Sequence, residues 1–185
     1  MKNKLVYFLV VLSITSLYFN FKLYNEKQKH TNHIIRKVYK DLITIERTFD
    51  AFKGMEKKDA QSSYGKLTYI SSLFLDINAN LNFLSYENKE MMYSEGVYSF
   101  RTISENIFTI LEDNMISDKE FEYLNLLSTF IKTLIEELNL AVEFVRDDDE
   151  IVNYSTENLK VSSLSRCILD FIIDNKEIFL YSLNN

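Results

Sequence analysis

Hydrophobic residues recur along this chain at alternating steps of three and four. One run is Ile35, Val38, Leu42, Ile45, Phe49 and Phe52; a second is Leu67, Ile70, Phe74, Ile77, Leu81 and Leu84. Phe100, Ile103, Ile107 and Ile110 form a third, shorter run. The fourth and longest is Phe121, Leu124, Ser128, Ile131, Ile135, Leu138, Val142 and Val145, and a looser fifth is Val161, Leu164, Ile168, Phe171, Asn175 and Ile178. This spacing keeps one stripe of each helix facing a partner. Apolar neighbours such as Leu73, Leu127, Leu134, Phe144, Leu169 and Ile172 widen the stripes. Wide stripes suit a globular bundle in which each helix touches two others. The pattern predicts helices over 26–53, 60–85, 89–113, 118–146 and 156–181.

The breaks between them follow turn chemistry. Gly54 sits past the first stripe, where a helix end often needs a left-handed residue. Ser117-Asp118-Lys119-Glu120 reads as a capping box, and Ser155-Thr156-Glu157 can start the last helix. The apolar phase shifts around residues 85–89, which places a turn there.

The N-terminus departs from this periodicity. Residues 5–19 carry no charge and are apolar on both faces: Leu5, Val6, Phe8, Leu9, Val10, Val11, Leu12, Leu17, Tyr18 and Phe19 dominate them. Read on to Tyr24, the segment measures about 30 Å as a helix, the thickness of a bilayer's hydrocarbon core. Its aromatic end and Lys22 suit an interface, where aromatic rings settle and a lysine snorkels. The rival reading is a cleaved signal peptide. It has only Ser13-Ile14-Thr15 as a cleavage site, after a short apolar run, so an uncleaved anchor is preferred. No helix breaker separates this span from the first bundle helix, and the two are expected to be one continuous helix.

Composition agrees and removes alternatives. The 185 residues hold no proline, no tryptophan, three glycines and one cysteine. Average usage would supply about nine prolines and about thirteen glycines. Turn-rich sandwiches, disulfide scaffolds and proline-rich linkers are therefore excluded, as are most glycine-rich phosphate loops.

The formal charge of −6 is unevenly spread. Residues 1–40 hold eight Lys/Arg against Glu26 alone, a local +7, which leaves −13 on the remainder. An acidic body is a poor match for phosphate backbones, so no nucleic acid is expected as a partner. The juxtamembrane basic residues Lys22, Lys27, Lys29, Arg36 and Lys37 are better matched to anionic lipid headgroups. They also create a conflict of orientation. Lys2 and Lys4 resemble a signal n-region and favour export of the body, whereas the larger basic cluster after the span favours a cytoplasmic body. We take the exported orientation, because the n-region reaches the insertion machinery first.

Candidate chemistry is sparse. Glu26, His30 and His33 share one helical face and could hold a transition metal, although a solvated polar face is the plainer reading. The acids 147–150 lack the glycine and alternation of a calcium loop and read as an exposed acidic loop. Cys167 packs as a small hydrophobe on the last stripe, with no histidine near it in sequence. Ser128 and Asn175 interrupt their stripes. They read as close helix approach and as local exposure, with a small ligand pocket as the alternative.

The expectation is an all-α protein: an N-terminal transmembrane helix continuing into an antiparallel four- to five-helix bundle, with residues 1–24 as anchor and 25–185 as one domain. No catalytic residue and no cofactor is assigned. Such a chain is expected to act by protein–protein interaction, as an accessory, inhibitory or immunity-type factor in a cell membrane, and to be open to self-association. A sensory or ligand-binding bundle is the alternative. The bias toward Asn, Ile, Lys, Tyr and Phe suggests an AT-rich, bacterial source.

Overall fold

A computed structural model describes residues 2–52, 60–87, 94–112, 116–141, 144–147, 150–154, 170 and 173–174. Helices dominate them. In chain order they are α1 (Lys2–Phe52), α2 (Ala60–Glu87), α3 (Ser94–Glu112) and α4 (Asp118–Ala141), followed by strands β1 (Phe144–Asp147) and β2 (Glu150–Tyr154). Residues 1–35 form one compact unit and 36–185 another. α1 carries the apolar span and the first stripe without a break, as the missing prolines and glycines require.

Within the second unit the helices make a ring of neighbours. Lys37 on α1 meets Asp76 on α2, and Lys66 donates to the Ala51 carbonyl, so these helices run antiparallel. Ser71 on α2 meets Ser104 on α3, and the Phe74 and Phe100 rings stack with centroids 6.1 Å apart. Asn106 on α3 donates to the Tyr123 hydroxyl on α4. The ring closes where Tyr39 and Asp50 of α1 reach Asn139 and Lys132 of α4. Short connections and antiparallel neighbours are what an up-and-down bundle requires.

The core follows the stripes. Ile35, Val38, Leu42, Ile45 and Phe49 are buried on α1, as are all six positions of the second stripe and all four of the third. On α4, Leu124, Ser128, Ile131, Ile135 and Leu138 are buried, joined by Leu127, Phe130 and Leu134. The expected Phe121 is only half-buried. Tyr123 fills that end of the core instead, because Asn106 satisfies its hydroxyl at 3.1 Å.

The start of α4 is set by the capping box. Ser117 Oγ accepts from the Glu120 amide at 3.2 Å, and Glu120 Oε2 accepts from the Ser117 amide at 2.6 Å. Its end differs from expectation. The helix stops at Ala141 rather than reaching 146, and residues 144–147 pair instead as an antiparallel strand. Phe144 faces Tyr154 and Val145 faces Asn153; the register shifts after Val145, so that Arg146 faces Ile151 and Asp147 faces Glu150. β-branched and aromatic residues on both strands favour the ladder, while acids at a helix C-terminus would oppose the dipole. An acidic loop therefore becomes a short hairpin.

Four helices, rather than four to five, are present among the described residues. The fifth stripe lies outside them, except that residues 170, 173 and 174 are helical. α2 continues through Glu87, so residues 85–87 of the turn expected at 85–89 are helical instead. Gly54, residues 88–89, the start at Ser155, Cys167 and Asn175 lie outside the described residues.

Phe74 is fully buried against Phe100, so Phe74→Ala should lower the unfolding free energy by about 3–5 kcal/mol. Ser117→Ala, which removes one cap acceptor, should cost only about 0.5–2 kcal/mol. Denaturant titration of the full chain in detergent, followed by helical circular dichroism, measures both.

Candidate membrane anchor and interaction face

The first part of α1 buries nothing. Every described side chain from Val6 to Tyr24 is exposed, including Val6, Phe8, Leu9, Val10, Val11, Leu12, Leu17, Tyr18 and Phe19 of the expected anchor. The side chain of Leu5 lies outside the described residues. Soluble proteins rarely expose so large a contiguous apolar surface. This helix is long and apolar enough to cross a membrane, and its most apolar window is wholly unburied. A helix is also the one open-ended element that satisfies its own backbone in hydrocarbon. Thr15 satisfies its own hydroxyl by donating to the Val11 carbonyl at 2.8 Å. At the far end the Tyr18 and Phe19 rings meet edge to face, 5.9 Å apart.

Five of the basic residues beyond the span, Lys22, Lys27, Lys29, Arg36 and Lys37, divide into two kinds. Lys22, Lys27, Lys29 and Arg36 are exposed, and Lys22 lies 3.9 Å from Glu26 across one helical turn. Lys37 belongs to the bundle. Its ammonium bonds Asp41 at 3.2 Å on its own helix and Asp76 at 3.0 Å on α2. Nothing in the local sequence pairs residue 37 with residue 76; the only hint is that α2 carries three charged side chains in 28 residues.

The electrostatics of this clamp follow from partial burial. Desolvation works to lower the pKa of Lys37, but its hydrogen bonds to Asp76 and Asp41, with their charges, outweigh it and raise the group above its ordinary value. Desolvation dominates at Asp41 and raises its carboxyl despite Lys37, with the Asp76 charge acting in the same direction.

Glu26, His30 and His33 are all exposed on α1 and do not converge. Among the described residues no group of three His, Cys, Asp or Glu side chains is placed to hold a metal ion. The buried polar groups of the bundle are mostly satisfied by one another. The Ser71 and Ser104 hydroxyls lie 2.6 Å apart, each also within reach of the other residue's carbonyl, which holds α2 and α3 close. Tyr39 donates to Asn139 Oδ1 at 2.6 Å. Among the described residues two atoms are exceptions: Asn78 Oδ1 on α2 and Ser128 Oγ on α4 are buried with no hydrogen-bond partner.

The outer face of α2 is the second exposed apolar feature. Tyr64, Tyr69, Leu75 and Phe83 stand exposed there, and a Cβ added at Gly65 would meet nothing within 4 Å. Lys66 and Asp76, the latter tied to Lys37, are the charged residues between Tyr64 and Phe83. The signal of the strip in the sequence is that its four apolar positions fall out of phase with the buried stripe.

No known protein family, curated protein or solved structure matches the chain.

Lys37→Met should destabilise the bundle by about 1 kcal/mol at neutral pH, a value discounted for the lysine's partial exposure. The loss should shrink as acid protonates Asp41, because the lysine then has one charge fewer to hold. The sign at Asp41 in the wild type is the reverse of a usual acid. A carboxyl raised by folding contributes stability at low pH and withdraws it as pH rises through its folded value. Lys37, also raised, keeps its contribution until strongly alkaline pH. Urea titrations of both proteins across pH 3–8 test these slopes.

Proposed function

We propose that this chain is a single-pass membrane protein whose helical bundle works by binding another protein, as an accessory, inhibitory or immunity-type factor rather than a catalyst. The observation that carries the reading is the pairing of two exposed apolar surfaces of different kind. One is a continuous unburied span matched to hydrocarbon. The other is the aromatic, nearly uncharged outer strip of α2 on a strongly acidic body. The partner suited to that strip is a weakly charged protein surface with apolar pockets for Tyr69 and Phe83, since Tyr and Phe dominate interface cores. Lys22, Lys27, Lys29 and Arg36 would lie at the headgroups and favour anionic lipid.

The proposed site is a cell membrane, with the body outside the cytoplasm. Lys37 is held by Asp41 and Asp76, and Lys22 stands near Glu26, so part of the basic cluster after the span serves the fold. That weakens its pull toward the cytoplasmic side. A second reading, a ligand-sensing bundle, draws on the unpartnered Asn78 and Ser128 atoms, which a small polar molecule or a water could satisfy.

Val11→Arg should cost insertion about 2.5–3.5 kcal/mol and move the chain from the carbonate-resistant membrane fraction to the supernatant. The double substitution Tyr69→Asp and Phe83→Asp should lower the melting temperature far less than Phe74→Ala does, because both side chains are largely exposed. It should reduce crosslinked partner recovered from native membranes by tenfold or more. Equal recovery with and without the substitutions would remove α2 as the interface. Protease digestion of the body in intact cells checks the orientation.

A further inference from the structure

Four small polar side chains interrupt the apolar span: Ser13, Thr15, Ser16 and Asn20. Thr15 is satisfied within its own helix by the Val11 carbonyl. Ser13, Ser16 and Asn20 are exposed and have no hydrogen-bond partner among the described residues. These three are not scattered. With Val6, Leu9 and Leu23 they continue one seam at steps of three and four, the register of a helix pair that keeps one face in contact. Val11, Thr15 and Tyr18 lie on the opposite face.

We infer that this seam is an interface between two copies of the span, packed in parallel inside the bilayer. The inference rests on the membrane-spanning reading above. A single helix would present two hydroxyls and an amide to hydrocarbon, and polar groups in a span normally face protein.

The chemistry selects a second copy as the occupant. An amide carries both donor and acceptor, so Asn20 and its counterpart across a two-fold axis satisfy each other. The Ser13 and Ser16 hydroxyls are self-complementary in the same way, and their small size lets the backbones approach. The seam carries no charge between Lys4 and Lys22, so like copies do not repel within it. A different helix would have to supply matching polar groups at the same three depths; an identical one has them by construction. A single polar position of this kind also fixes register.

The test uses the full chain in its native membrane with Cys167→Ser, and one cysteine introduced at a time by Leu9→Cys, Ser13→Cys or Ser16→Cys on the seam, or by Val11→Cys, Thr15→Cys or Tyr18→Cys opposite. Oxidative crosslinking should give at least fivefold more dimer at the seam positions. Adding Asn20→Leu to the Ser13→Cys chain should lower that yield by about threefold to thirtyfold, the weight of one interhelical hydrogen bond in a bilayer. Crosslinking that is even around the helix, that ignores Asn20→Leu, or that captures only a different protein overturns the pairing. Carbonate extraction of the same variants keeps the two proposals apart. Chains that leave the membrane fraction overturn the span itself, whereas chains that stay without seam preference overturn only the pairing.

Discussion

The constraint on which the structure depends is that α1 must meet two environments with one backbone. Its amides and carbonyls pair along the helix, so they demand nothing from their surroundings. Side chains alone decide where it sits. From Val6 to Tyr24 they are exposed and mostly apolar; from Thr31 a buried face appears with Ile34, Ile35 and Val38. A proline anywhere along it would break the ladder, and the chain contains none. The remaining helices need only cover the later stripe, which explains why three suffice among the described residues.

Apolar burial gives the bundle most of its stability but little of its specificity, since similar aliphatic stripes can slide or exchange neighbours. Register comes from a few polar pairs at the helix contacts. Lys37 with Asp76 aligns α1 and α2, and Ser71 with Ser104 aligns α2 and α3. Asn106 with Tyr123 aligns α3 and α4, and Tyr39 with Asn139 closes the ring. Each seam has at least one such pair, so a slip by one turn would leave polar atoms unpaired at every contact.

Much of this was legible beforehand because it is local. The stripes from Leu67 to Leu84 and from Phe100 to Ile110 are wholly buried, and the Ser117–Glu120 box caps α4 as its residue types indicate. The apolar segment from Val6 was read correctly as long and unbroken enough to span. What escaped was of two kinds. The long-range pairs, such as Lys37 with Asp76, leave no periodic trace, so the sequence shows Lys37 as a juxtamembrane basic residue without its partner on α2. The end of α4 was ambiguous because Val142 and Val145 satisfy a helical step as well as a strand, and the competition was decided by the cross-strand partners Tyr154 and Asn153. Phe121 and Tyr123 exchanged roles for a similar reason: the hydroxyl partner of Tyr123 lies on another helix.

The hydrogen bond between Tyr39 and Asn139 joins residues 100 positions apart. Synthesis proceeds from the N-terminus at about 5–20 residues per second, so α4 emerges some 5–20 seconds after the helix it must cover. During that interval the buried stripe of α1 has only α2 and then α3 for cover. The last-made helix completes a core begun by the first, so a ribosome stalled before Asn139 would leave that core half-clad.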